Sequence, residues 1–265
     1  MSLSRILMEY PGEMWYGGDV QEMGTPARYP RCIVDGRWMF GSAMKKGDKE
    51  AQVMREEEKI KAGILFCPGD PELRAIKLKT HNLNVDYNRT HEDETEKRAA
   101  ILKEIIGEFG EGGFIQGPIA FHYGRHTKIG RSFFGNFNLT IQDDAEVVIG
   151  DNCNFGPNTT IVTPIHPMIA QERNLMLTAE GEEKRLCYAK PVYIGNNCWF
   201  GASVTVCPGV TIGDDCVIGA GSVVTRDIPA GSFAAGVPCK VIRPITEADS
   251  MKYKPEILAD NQVKV

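Results

Sequence analysis

The chain lacks a long apolar run: no stretch approaches the roughly 18 consecutive apolar residues needed to cross a bilayer. It also lacks a leader-like beginning. Glu9, Glu13, Asp19 and Glu22 stand where a signal peptide would be apolar and a transit peptide acid-poor, so neither is expected and a cytoplasmic protein is. No charge of one sign dominates. The 35 acidic and 30 basic side chains leave a net charge of −5, which supplies no global field for gathering nucleic acid or an anionic membrane. Cysteine is sparse, 8 in 265 residues with no CxxC pair, which excludes a disulfide scaffold and zinc-finger spacing. Without a signal peptide, the Asn-x-Thr triplets at Asn88, Asn138 and Asn158 read as chance matches. With 42% hydrophobic and 25% charged residues, wholesale disorder is excluded, and the length fits one large domain, or one domain with a small appendage, with room for a sizeable core.

What the sequence does have is a six-residue period. Ile194, Phe200, Val206, Ile212, Ile218 and Val224 form an unbroken series, preceded by Ile149, Phe155 and Ile161 and by the weaker Ile129, Gly135 and Ile141. The fifth position of each unit is small or β-branched, as at Cys153, Thr159, Cys198, Val204, Val210, Cys216 and Ser222. A helix needs apolar spacing near 3.6 and an ordinary strand alternates. A period of six, with Gly and Asn or Asp at a fixed offset, describes a short strand and then a turn tolerant of positive φ, repeated. Three such units close a triangular coil of 18 residues. Coils stacked about 4.8 Å apart bury together what one coil cannot. Cys153, Cys198 and Cys216 then become inert packing at the small position.

Outside the repeat, residues 48–108 read as helical. Asp48–Lys61 is charged and amphipathic, Asp70-Pro71 is an N-cap followed by proline, and Thr90 is expected to cap a third helix ending near Glu108 at glycines 107, 110, 112 and 113. Residues 163–191 interrupt the period as an excursion loop. The expected organisation is an N-terminal extension over 1–47, a helical segment over 48–110, a solenoid over 111–245 and a tail over 246–265. The extension is rich in Gly, Pro, Met and aromatics and carries no assignable function.

The strings IGDNCNFGPN, IGNNCWFGASVTVCPGVTIGDDCVIGAGSVVTRDIP and AAGVPCKVIRPI resemble the hexapeptide-repeat acyltransferases. More narrowly, GRSFFGNFNLTIQDD, the IHP around His166 and YAKPVYIG are similar to the maltose and galactoside O-acetyltransferases, over roughly residues 50–245. The resemblance implies a mainly β protein, a left-handed parallel β-helix with a small N-terminal helical segment packed near the acceptor site. The left hand comes from the family, since it opposes the general crossover preference. The loop stretch Met168–Arg185 is longer than is usual there. It also implies a homotrimer with active sites between subunits, in which 1–47 would pack on the exterior.

Candidate chemistry follows from both readings. His166 lies between Pro164 and Pro167, whose restricted backbones would hold an imidazole still, and histidine is the residue type suited to taking a proton from a hydroxyl near neutral pH. By resemblance it is the general base that lets a sugar hydroxyl attack acetyl-CoA directly, with amides stabilising the oxyanion and no cysteine carrier. Asn136 matches an asparagine near the reacting centre, and Asp144 matches a carboxylate that bonds sugar hydroxyls. His122 stands where the galactoside enzymes use serine, and Asp70 is a weaker acceptor-side candidate. For acetyl-CoA, the small Gly201, Ala202 and Ala220 would let backbone amides approach the pantetheine arm. Thr225, Arg226, Lys240 and Arg243 would meet the phosphates. Trp199, outward at a corner, either flanks that groove or packs between subunits. No metal, nucleic-acid or membrane partner is expected. Alternatives are a serine or amine acceptor on the same fold, a zinc lyase of γ-carbonic-anhydrase type using His122, His126 and His166, and a catalytically silent solenoid scaffold.

Overall fold

Short strands of two to four residues wind into a parallel β-solenoid of about six turns, whose three faces are the three parallel sheets. The computed structural model describes residues 54–178 and 181–259, with the backbone of Ile33–Val34 and Arg37–Trp38. That last pair forms a separate antiparallel ladder. The remainder of the N-terminal extension, the start of the expected Asp48–Lys61 helix and the last six residues lie outside the described residues.

The first face contains Thr127–Ile129, Val147–Ile149, Val192–Ile194 and Thr211–Ile212. The second holds Phe134–Gly135, Asn154–Phe155, Trp199–Phe200 and Val217–Ile218, and the third Ile119–Phe121, Leu139–Gln142, Thr160–Val162, Thr205–Val206 and Val223–Val224. Pairing is in register, so Ile129, Ile149, Ile194 and Ile212 stack in one inward column, and Phe121, Ile141, Ile161, Val206 and Val224 in another. All of these are buried. Phe155 stacks on Phe200 at 4.3 Å between ring centroids.

Corner A joins the first face to the second, corner B the second to the third, and corner C the third back to the first. At corners A and B the turn is closed by residues at positive φ, among them Asn152, Asn197 and Asp215 at A and Asn138 and Asn158 at B. The cysteine column lies inside corner A. Cys153, Cys198 and Cys216 are fully buried, and their thiols donate to the carbonyls of Gly195, Gly213 and Pro229 at 3.1–3.2 Å.

Corner C departs from the expected 18-residue coil. Above the excursion the register advances 18 residues and then, in the last turn, 16; below it each turn takes 20, and the turn bearing the excursion takes 45. Both extra residues of each lower turn fall at corner C, between Phe121 and Thr127 and between Gln142 and Val147. The excursion is an arm rather than a bare loop. Pro164–Ile165 pairs with Tyr188–Ala189, and Met176–Leu177 pairs with Glu183–Lys184 beyond a short helix, Ala170–Asn174.

Three helices precede the solenoid: α1 (Glu56–Lys61), α2 (Pro71–Asn88) and α3 (Thr95–Ile105). Asp70 caps α2 as expected, its Oδ1 accepting from the backbone of Glu72 and Leu73. Thr90 does not cap α3. Because α2 runs on to Asn88, the Thr90 hydroxyl instead donates to the carbonyl of Tyr87 at the end of α2, and Glu94 precedes α3. Helix α2 closes the lower edge of the third face with side-chain amides. Asn84 brackets Phe121, donating to its carbonyl at 2.7 Å and accepting from its N–H, and Asn88 brackets Ile119 likewise. An open strand edge is thereby satisfied without a further strand. At the other end Lys240–Pro244 turns back antiparallel on Ser232–Ala235.

Candidate active site

Corner C holds the buried carboxyl groups of the solenoid among the described residues. Asp143, fully buried, accepts from the backbone N–H groups of Tyr123 and Gly124 and from the Thr127 hydroxyl, which fixes the loop carrying His122. Its neighbour Asp144 is buried as well, and its Oδ2 has no hydrogen-bond partner. Burial and the adjacent Asp143 push the Asp144 carboxyl up to about 7. The buried Tyr123 hydroxyl is also unpartnered, and burial raises its pKa, with Asp144 adding to the effect. Two orphaned buried oxygens at one corner mark a place built to meet something polar.

Helix α2 supplies the facing wall. Thr80 donates to the carbonyl of Tyr123, the Lys77 ammonium lies 5.6 Å from the Tyr123 ring centroid, and His81 Nε2 is 3.2 Å from His122 Nδ1. The His122 ring meets Tyr123 edge-on at 5.0 Å. Burial, with the charges of Lys77 and His81, lowers the His122 pKa to about 4, so that imidazole is neutral near pH 7. One ring nitrogen of the His81–His122 pair donates and the other accepts.

Thr163 ties the arm to the same corner, accepting from the N–H of Ala145 and donating to the carbonyl of Gln142. The chain then runs through Pro164–Ile165 to His166, which is exposed and makes no hydrogen bond among the described residues. Corner C therefore presents His122, Asp144 and His166 from three successive turns. Lys77, His81 and Tyr123, which join them, were not anticipated from the sequence. Asp70 is tied to this wall by its capping of α2.

The other candidates lie elsewhere. Asn136, Gly201, Ala202 and Ala220 form a column on corner B. A Cβ on Gly201 would come 2.6 Å from the Ala220 backbone nitrogen, and one on Gly156 would come 2.7 Å from the Gly201 carbonyl carbon. Glycine at Gly156 and Gly201 is thus a condition of stacking, and it also leaves the corner bare. A hollow of about 370 Å³ there is lined by Phe134, Asn136, Asn154, Gly156 and Trp199. Trp199 stands on the outer face of its strand rather than at a corner, and is largely exposed. Thr225 and Arg226 are exposed near the top of corner C, and Lys240 is exposed on the last strand. Arg243 is already engaged, paired through both terminal nitrogens with Asp249 and lying over Phe233. In one chain Asn136 and the corner B column do not meet His166.

His122, His126 and His166 do not form a set. His122 pairs with His81, while both nitrogens of His126 are taken, by the Asp143 carbonyl at 2.9 Å and by Glu57 at 3.2 Å. The hollow beside His126, about 400 Å³, is lined by Glu57, Arg125 and Tyr193 among others, and His126 is the one residue of the sequence-based candidates that it contains.

Comparison with known proteins matches this architecture. Residues 146–166 and 191–226 match the hexapeptide repeat of succinyl-transferase, and residues 59–110 the maltose acetyltransferase hexapeptide capping motif. The chain is 44% identical over 209 residues to galactoside O-acetyltransferase of Escherichia coli, covering 78% of this chain and 97% of that protein. The chain belongs to the maltose and galactoside O-acetyltransferase family. Among solved structures it is similar to a galactoside acetyltransferase in complex with coenzyme A, with TM-score 0.68, 44% identity, and 74% and 94% of the two chains covered. A maltose O-acetyltransferase from Clostridium difficile 630 gives TM-score 0.68 at 40% identity over 73% and 99%. Membership makes the chain an acyltransferase. Among the described residues no helix is long and apolar enough to cross a membrane.

Proposed function

We propose that the protein transfers an acetyl group from acetyl-CoA to a hydroxyl of a sugar or glycoside, at sites formed between copies of the chain in a homotrimer. The observation that carries this reading is the division of the candidate residues. Corner C holds the proton-handling groups and the orphaned Asp144 oxygen, corner B holds the bare small-residue column, and the two do not meet within one chain. A second copy of a three-sided prism packed along its flank would bring corner B of one chain to corner C of the next.

Bound acetyl-CoA would supply the activated acetyl thioester. Gly201, Ala202 and Ala220 fit its pantetheine arm, because their missing or minimal side chains expose backbone N–H and C=O groups along a groove. Lys240 and Arg226, exposed and without an ion-pair partner among the described residues, fit its phosphates together with Thr225, and Arg243 would join them by releasing Asp249.

On the acceptor side, His166 takes the proton of the attacking hydroxyl at an imidazole nitrogen, for which its exposed, unpartnered ring is free. Asp144, Lys77 and His122 orient the sugar. The Asp144 Oδ2 accepts from a neighbouring hydroxyl when ionised, or donates when it retains its proton near pH 7. Asn136 of an adjacent copy approaches the reacting centre. Release of CoA thiol, followed over glucosides, galactosides, maltose and serine with a His166→Ala control, tests the reading. Thiol release that depends on a sugar and on His166 supports it, whereas turnover with serine alone, or turnover untouched by the substitution, contradicts it.

A further inference from the structure

Along the outer side of α2 runs an open hollow of about 570 Å³, lined by Pro71, Arg74, Ala75, Lys77, Leu78 and His81. Its two cations, Arg74 and Lys77, have no ion-pair partner among the described residues. Arg74 is exposed and has no hydrogen-bond or ion-pair partner among the described residues. Lys77 spends one N–H on the carbonyl of Pro68 and keeps two. His81 uses Nε2 on His122 and keeps Nδ1.

The carboxylates that could neutralise this hollow are committed elsewhere. Asp70 caps α2, Glu72 is 3.0 Å from Arg55, and Asp144 is buried with its pKa raised by burial. Pro71, Ala75 and Leu78 supply an apolar floor between the charged groups, and Leu78 is 63% exposed. A floor of this kind suits the face of a sugar ring, with the cations placed for a charged group at its edge. The hollow is continuous with the acceptor wall through Lys77 and His81, which touch Tyr123 and His122.

We propose that this hollow selects an acceptor that carries an anionic substituent, a carboxylate or a phosphate, held by the Arg74 guanidinium with Lys77 and His81. The inference rests on the acceptor-side reading above and narrows it from sugars in general to acidic ones. An unpaired guanidinium offers a planar fork of N–H donors that matches the paired oxygens of either anion. Lys77 adds a point charge, and His81 adds a donor when its Nδ1 carries the proton. The neutral His122 adds no cation of its own beside His81, so the positive charge of this wall lies on Lys77 and Arg74.

The test uses methyl glucoside as the neutral acceptor, methyl glucuronoside for the carboxylate, and glucose 1-phosphate and glucose 6-phosphate for the phosphate. Each is measured twice on the full-length protein, by acetyl-CoA-dependent thiol release and by titration calorimetry without acetyl-CoA. The expected result is that at least one anionic compound exceeds the neutral one tenfold or more in kcat/KM and in affinity. Arg74→Ala should erase that ratio, and Arg74→Lys should restore part of it. Whichever anion wins identifies the substituent. Equal use of neutral and anionic acceptors, or a ratio unmoved by Arg74→Ala, overturns the inference while leaving sugar acetylation intact. If no acceptor is acetylated yet an anionic one binds tenfold better and Arg74→Ala abolishes that advantage, acetyl transfer fails and the anion site stands.

Discussion

Corners B and C of the same solenoid obey opposite rules. Corner B is tight and repetitive. Its turns close on Asn138, Asn158 and Ser203 at positive φ, its backbone N–H groups pair with the next turn, and Gly156 and Gly201 admit no side chain without a clash. Below the excursion, corner C is wide, with two residues more per turn, and it buries Asp143, Asp144, Tyr123 and Thr163. Two of its buried oxygens find no partner. On the proposed reading, the six-residue spacing leaves corner B bare for the cofactor arm, and the two added residues make room at corner C for the acceptor-side groups. Stability should therefore be concentrated in the stacked inward columns, and the proton-handling groups at the wide corner, with little overlap.

The largest expected effect falls on chemistry alone. His166→Ala should lower kcat by roughly 10²–10⁴ while leaving the melting temperature where it was, because the ring is exposed and bonded to nothing. Steady-state thiol release paired with a thermal melt checks both halves. A melt that fell with the rate would break the separation of site from scaffold.

Phe200→Ala tests the converse. Its ring is fully buried and stacked on Phe155. Its removal should cost about 3–5 kcal/mol, visible as a lower denaturant midpoint.

Asp144→Asn should separate function from stability, with a sign that depends on pH. Burial and Asp143 raise the Asp144 pKa to about 7 in the folded chain, above the ordinary carboxylate value near 3.9 of the unfolded one. The fold therefore holds this proton more tightly. The stability it contributes is complete below about pH 4 and lost as pH rises through 7. Asparagine cannot ionise, so variant and wild type should be equally stable near pH 4. By pH 8 the variant should be the more stable, by the order of 2–4 kcal/mol, while acetyl transfer falls. Denaturant melts at the two pH values decide it, and a variant less stable at pH 8 would contradict the burial argument.

Smallest is Cys198→Ala inside corner A. The thiol is buried, and the neighbouring Cys153 together with burial raises its pKa. The substitution should cost about 1 kcal/mol of stability and leave thiol-release rates unchanged. A change in kcat would return the cysteine column to consideration as chemistry.

How much of this was legible follows from the same comparison. The aliphatic period from Ile194 to Val224 is enforced by sterics at every turn, so it predicts the stacked columns directly, and the small fifth position places the cysteines correctly. The widening at corner C is also written in the sequence, as eight residues rather than six from Phe121 to Ile129 and again from Ile141 to Ile149. That interruption is the signal that locates His122 and Asp144 without any relative. Lys77 and His81 were missed because their roles depend on contacts between elements remote in sequence. The available cue was a polar stripe at helical spacing, Thr80, Asn84 and Asn88 with Lys77 and His81 alongside, where a helix covering a core would have placed apolar residues. Thr90 was misassigned because its hydroxyl serves either as a cap for the next helix or as a donor back to Tyr87, and local sequence does not choose between them.

The central claim is that the residues of one site come from two chains. Mixed assemblies test it most directly: His166→Ala chains and Asn136→Ala chains, each nearly inactive, are unfolded together, refolded in equal amounts and assayed for thiol release. A site built from corner C of one copy and corner B of the next should regain about a quarter of the wild-type rate, the share of interfaces in which both residues are intact. A mixture no more active than the two parents would place His166 and Asn136 in the same chain's site and contradict the account.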